Sequence, residues 1–152
     1  MNNILDFQEE QSKLKEASRG TRLTNYLVDS IFLWLVNESL LTAIGLEIVV
    51  EHITPEVLES GEFLKAFLAQ QLIQFVVIIS YYLLSEYFLE GKTAGKYLTK
   101  TRAVDIDGQA MNFTSTLLRS LVRLVPFEAF SFLGSRENGW HDRWTKTMVV
   151  QE

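Results

Sequence analysis

The sequence predicts an all-α transmembrane protein: a small helical bundle of two clear spans plus a third kinked helix, membrane-embedded or interfacial, with a short cytoplasmic β-prone loop. Three observations predict it. Two apolar runs are long enough to cross a hydrocarbon core, lysine and arginine flank them on one side only, and the charges gather in belts between the runs although mean hydropathy is just +0.09. The 152 residues suit one domain. A net charge of -5 disfavours nucleic acid as a partner, and the absence of cysteine excludes disulfides, thiolate chemistry and Cys-ligated metal.

Residues 1–20 read as a polar lead-in and residues 21–150 as the membrane domain. MNNILDFQEEQSKLKEASRG carries acidic groups early and no apolar core before a small-residue cleavage site, so it is not a secretory signal. Phe7 to Leu14 suits a short surface helix.

The first span is residues 26–50, YLVDSIFLWLVNESLLTAIGLEIVV. At about 1.5 Å per residue it exceeds the roughly 30 Å of a bilayer core. Asp29 lies near its start, Asn37 and Glu38 near its middle and Glu47 near its end. Such groups must face protein or water. Glu38 and Thr42 are one turn apart and line one polar path, while Asn37 and Ser39 point to other faces. A long buried helix of a soluble bundle is the alternative for this run. The second span, residues 67–89, is cleaner: Gln70, Gln71 and Gln74 crowd its first turns, and Glu86 sits near its end.

Lys13, Lys15, Arg19 and Arg22 precede the first span, and Lys92, Lys96, Lys100 and Arg102 follow the second. The acidic link between them, residues 51–66, carries only Lys65. The positive-inside rule places the N-terminus and the 90–110 loop in the cytoplasm and the link outside, in a multi-pass protein of the cell inner membrane. His52 in that link, near Glu51 and Glu56, lacks metal-binding spacing and reads as solvated.

GKTAGKYLTKTRAVDIDGQAM, residues 91–111, fails as a phosphate loop because three residues, not four, separate its glycines and Tyr97 follows the lysine. Gly91 ends the second helix, Gly95 permits close backbone approach, and Lys96 and Lys100 reach anionic headgroups. The β-prone stretch ending in Asp107-Gly108 suits a short hairpin or an irregular interfacial segment. Asp105 and Asp107 lack the other ligands of an EF-hand.

The third region, residues 113–134, places Arg119 and Arg123 on one helical face, and Pro126 kinks or divides it before Glu128. It crosses the membrane, lies flat, or dips in and returns; a third membrane-embedded helix is the reading taken, which puts the C-terminus opposite the N-terminus unless the kink returns the chain. In WHDRW, Trp140 and Trp144 are one turn apart and suit interfacial anchors, leaving Asp142 to be buried and paired. His141 and Asp142 form no triad, and no GxSxG elbow exists, so no enzyme activity and no cofactor are expected.

SRGTRLTNYLVDSIF, GKTAGK with AVDIDG, and HD followed by TMVV resemble the RDD family of membrane proteins, over roughly residues 18–150. The family is named for one arginine and two aspartates, which by motif match are Arg22, Asp29 and Asp142. The resemblance implies a bacterial integral membrane protein, and some members are associated with transport, including sodium-proton exchange. Two function readings follow. One is an oligomeric transporter or ion/proton exchange component using buried carboxylates, with a small cation or proton as its cargo. The other is a structural or accessory protein whose Arg/Asp network locks helix packing and partner assembly. Membrane lipids and a homo-oligomer or other membrane protein are the expected partners. Asp29 pairs with Arg119, Arg123 or Arg143, and Asp142 with Arg22, in both readings.

Overall fold

Ser18 starts the first helix: its hydroxyl accepts the Thr21 N–H at 3.2 Å, satisfying a donor that has no partner in the first turn. The structure, a computed structural model, describes residues 15–45, 54–55, 61–125 and 139–152. Helix α1 runs Arg19–Ile44 and stops where Gly45 takes φ 66°. Helix α2 runs Glu62–Phe88. At 26 and 27 residues, each is about 40 Å long and apolar enough to cross a membrane. Only 11% and 6% of their most apolar stretches are buried, so neither is the core helix of a soluble bundle.

The burial pattern is inside out. On α1 the buried residues are Arg22, Asn25, Asp29, Asn37 and Leu41, whereas Leu27, Ile31 and Trp34 are exposed. On α2, Tyr82 and Glu86 are buried and Leu72, Val76 and Phe88 are exposed. Polar groups pack inward and apolar ones face outward, which suits a hydrocarbon surround and would be costly in water.

After α2 the chain turns through Glu90 and Gly91, both at positive φ. The Gly91 N–H caps the Glu86 carbonyl at 2.7 Å, and its carbonyl accepts the Ala103 N–H at 2.9 Å. A Cβ at Gly91 would sit 2.0 Å from the Ala103 oxygen, so the turn requires glycine. Helix α3, Ala94–Thr99, then packs across α1. Strand β1, Thr101–Asp105, leads into a turn in which the Asp105 carboxylate accepts the N–H groups of Asp107 and Gln109 at 2.9 and 2.8 Å. Helix α4, Phe113–Val122, is capped by Asn112 and packs on α2. Helix α5, Trp140–Thr145, packs on α4 and leads into strand β2, Thr147–Gln151.

Two readings that the sequence left open are decided here. The β-prone stretch forms no hairpin: residues 94–99 are helical, and β1 pairs antiparallel with β2, with Thr101 opposite Gln151 and Asp105 opposite Thr147. The other flank of β2 holds the lead-in, through Ala17 N–H to the Val149 carbonyl and Gln151 N–H to the Lys15 carbonyl, both 2.9 Å. The C-terminal strand therefore lies at the same end of the helix pair as the N-terminal segment, not opposite it. The described part of the third region, residues 113–125, holds the ten-residue α4, about 15 Å long and by itself too short to span. Pro126, Glu128 and the rest of that region lie outside the described residues, as do Glu47, His52 and Phe7 to Leu14.

Gly95 is where α3 meets α1: a Cβ there would lie 2.4 Å from the Asn25 carbonyl oxygen. Helix propensity alone predicts that Gly95→Ala stabilises by about 1 kcal/mol. The contact predicts the opposite sign, a loss of about 1–3 kcal/mol from overpacking, read as a lower unfolding midpoint in detergent.

Candidate functional site

Asp142 sits in the first turn of α5, where side chains from two other helices converge on it. Arg22 Nη1 of α1 donates to its Oδ2 at 2.9 Å, and Arg119 Nη1 of α4 donates to its Oδ1. Arg119 Nε turns the other way and donates to Glu86 Oε2 of α2 at 3.0 Å. Glu86 Oε1 also receives Lys96 Nζ of α3 at 2.6 Å and Arg123 Nη2 at 3.2 Å. One continuous chain of charge thus runs Arg22–Asp142–Arg119–Glu86–Lys96 and takes one member from each of the five described helices. Arg119, Glu86 and Asp142 have side chains with 0% exposure.

Arg22 also ties the lead-in to this chain. Its Nε donates to the Ala17 carbonyl at 3.0 Å, and its Nη2 reaches Glu16 at 3.2 Å. Thr147 of β2 joins through a bond from Arg119 Nη1 to its hydroxyl. Arg123 lies over the Tyr82 ring, 4.0 Å from its centroid.

Asp29 is held differently from the expectation. Its oxygens accept the Thr93 hydroxyl at 2.7 Å, the Tyr81 hydroxyl at 2.8 Å and the Gly95 N–H at 2.8 Å. It does not pair with Arg119, Arg123 or Arg143. The physical reason is α3, whose first turn delivers a hydroxyl and a backbone donor to the carboxylate. Beside it, Asn25 donates to the Thr101 hydroxyl at 3.0 Å.

Burial disfavours charge on Asp142, yet His141, Arg119 and Arg22 outweigh it and hold the carboxyl well below its usual range. Burial dominates at Lys96, and Arg119 and Arg123 act with it against the attraction of Glu86, so its ammonium is pushed down from 10.5 to about 8. Lys96 therefore does not reach lipid headgroups: it is enclosed, because Gly91 and Gly95 fold α3 back onto the helix pair. Lys100 is exposed in the αL position that ends α3. Trp140 and Trp144 stack with centroids 5.8 Å apart, and Trp144 is 58% exposed.

The cavity beside Arg22, Asp29, Lys96 and Asp142 measures about 20 Å³, room for roughly one water. A larger cavity, about 350 Å³, lies between α1 and α2 and is lined by Tyr26, Trp34, Asn37, Glu38, Gln70 and Gln74 among others. Glu38 is there, but Thr42 is not; Thr42 lies on the exposed surface near the end of α1. Asn37, expected on another face, lines the same cavity, because the groove between two helices is wide enough to receive adjacent residues from both sides. Among the described residues, no group of three or more His, Asp or Glu is placed to hold a metal ion.

Sequence reasoning missed Glu86, which receives Lys96, Arg119 and Arg123, and it missed Thr93 and Tyr81. Glu86 had one signal, a lone carboxylate at the end of an otherwise apolar run. Stability carries the signature of this burial. The unfolded chain keeps the Lys96 proton up to about pH 10.5 and the folded protein gives it up near 8, so the Lys96 contribution raises stability with pH across that window. The unfolding midpoint should rise between pH 8 and 10, and Lys96→Met should flatten the rise.

Sequence comparison adds a family. A model of the RDD family matches residues 16–146, most of the chain and all five members of the charge chain. No curated protein and no solved structure matches it.

Proposed function

The chain belongs to the RDD family of membrane proteins, and from that premise we propose that its charge network serves assembly rather than transport. In this reading the Arg/Asp/Glu network clamps two spanning helices to a folded cap made of α3, α5 and the β1–β2 pair. The cap faces the cytoplasm, as the flanking lysines and arginines suggest. One observation carries the reading. Asp142, Glu86 and Asp29 are enclosed, each of their oxygens accepts at least one donor, and the adjoining space holds about one water. A carboxylate that exchanges an ion needs a wetted route and a free coordination position, and neither is at hand here.

A second reading keeps an ion or proton exchange role but assigns it to Glu38 instead of Asp29. Its support is the 350 Å³ cavity, where Glu38 lies with Asn37, Gln70 and Gln74 between helices that otherwise turn apolar side chains outward. Two described spans enclose no pore by themselves, so this role belongs to an oligomer.

The two carboxylates separate the readings. Glu86→Gln strands Lys96, Arg119 and Arg123, and should cost about 3–5 kcal/mol in stability. Glu38→Gln should leave the unfolding midpoint within about 0.5 kcal/mol of the parent. If proteoliposomes of the parent carry pH-coupled cation flux, Glu38→Gln abolishes it under the second reading and leaves it unchanged under the first alone. A Glu86→Gln protein as stable as the parent contradicts the clamp.

A further inference from the structure

The cavity between α1 and α2 combines three features that the charge network does not use. The first is a carboxylate, Glu38, half-buried in a cavity that Gln70 and Gln74 of the opposite helix also line. The second is Asn37, 8% exposed: its Oδ1 is closed to a water-sized probe and receives no hydrogen bond, while its Nδ2 is the open end of the amide, so turning the amide over brings the oxygen out to a ligand. Such an atom is unfavourable until a donor reaches it. The third is an apolar wall, Leu33, Val77 and Ile78, with the aromatic side chain of Trp34 beside it.

We propose that this cavity is a binding site for a small primary alkylammonium ion. The proposal rests on the second reading of Glu38 above and names its ligand class. A primary ammonium brings three N–H donors and no acceptor. One meets the Glu38 carboxylate, one the Asn37 Oδ1 once that amide has turned over, and one an amide oxygen of Gln70 or Gln74. The alkyl part lies on Leu33, Val77 and Ile78, and Trp34 offers a π face to the charge. An inorganic cation fits less well. Hard cations take six or more oxygens at close range, whereas one carboxylate and three amides spread along two helices leave an apolar wall without a partner. The volume of about 350 Å³ falls at the small end of the range for organic ligands, roughly 300–1,000 Å³. A quaternary ammonium matches the charge and the aromatic group but leaves the Asn37 oxygen without a donor.

The test uses the full chain in lipid nanodiscs with Trp140→Phe and Trp144→Phe, so that Trp34 is the one remaining tryptophan. Butylammonium, tetramethylammonium and sodium are titrated at neutral pH while Trp34 emission is read. A saturable change with butylammonium is expected. Glu38→Gln and Asn37→Leu should each weaken it by roughly tenfold to a hundredfold, the usual worth of a hydrogen bond to a charged group. Tetramethylammonium should bind more weakly by a similar factor. Should Glu38→Gln fail to fold, Asn37→Leu and Gln74→Leu give the same reading from the two sides of the cavity. Equal binding of tetramethylammonium overturns the proposal, because no N–H is then being recognised. Sodium binding without butylammonium binding also overturns it, yet leaves Glu38 standing as a cation site. No response to any of the three overturns both. A butylammonium response that survives Glu38→Gln and Asn37→Leu places the amine elsewhere and overturns the site.

Discussion

Arg119 is the hinge of the structure's energetics. It is fully enclosed, and its guanidinium reaches Glu86 on one side and Asp142 on the other. An isolated charge so deeply buried is prohibitively costly, so the fold must bring two carboxylates to it. Glu86 comes from α2 and Asp142 from α5, separated from Arg119 by 33 and 23 residues. Each carboxylate then needs its own second cation, and Arg22 and Lys96 supply them from α1 and α3. Compensating one buried charge thus specifies where five described helices meet. The planar fork of arginine suits this bridging role, since it bonds two partners in different directions; a lysine at position 119 would not.

The same constraint explains why the polar core and the apolar exterior coexist. Lipid-facing helices gain little by burying leucine against leucine, since hydrocarbon is already their solvent. Register between α1 and α2 must come from polar contacts, and Tyr81 to Asp29 at 2.8 Å supplies one. The cap contributes ordinary β pairing, with Ala103, Val104, Val149 and Val150 buried as a small apolar core. The cavity around Glu38 lies apart from this network.

Much of this was legible in the sequence, and what was not has physical reasons. The two spans were visible as apolar length, and their observed bounds, Arg19–Ile44 and Glu62–Phe88, begin earlier because the helix continues through the residues before each apolar run; Ser18 caps the first, and Gly61 opens the second with no side-chain cap. The motif residues Arg22 and Asp142 were expected to pair, and they do at 2.9 Å. Asp29 was assigned to an arginine because a buried carboxylate calls for a cation; backbone and hydroxyl donors at the start of α3 serve instead, and only the folded turn at Gly91 reveals that they are near. Lys96 looked like a headgroup lysine for the same reason. The β1–β2 pairing joins residues about 46 apart in sequence, so no local turn signal announces it. Asn37 was set aside by its angle on the helix, which says nothing about the width of the groove that the neighbouring helix leaves open.

We infer that the five charged side chains act as one unit and not as separate pairs. Arg22 and Glu86 do not touch; Asp142 and Arg119 stand between them. The direct measurement is a double-mutant cycle on these two ends, Arg22→Met and Glu86→Gln singly and together, followed by reversible unfolding in mixed micelles. Independent pairs give stability losses that add within about 0.5 kcal/mol. A single connected network predicts that the double variant loses less than the sum of the two by more than about 1 kcal/mol, since breaking either end already releases the middle. Simple additivity would contradict the account.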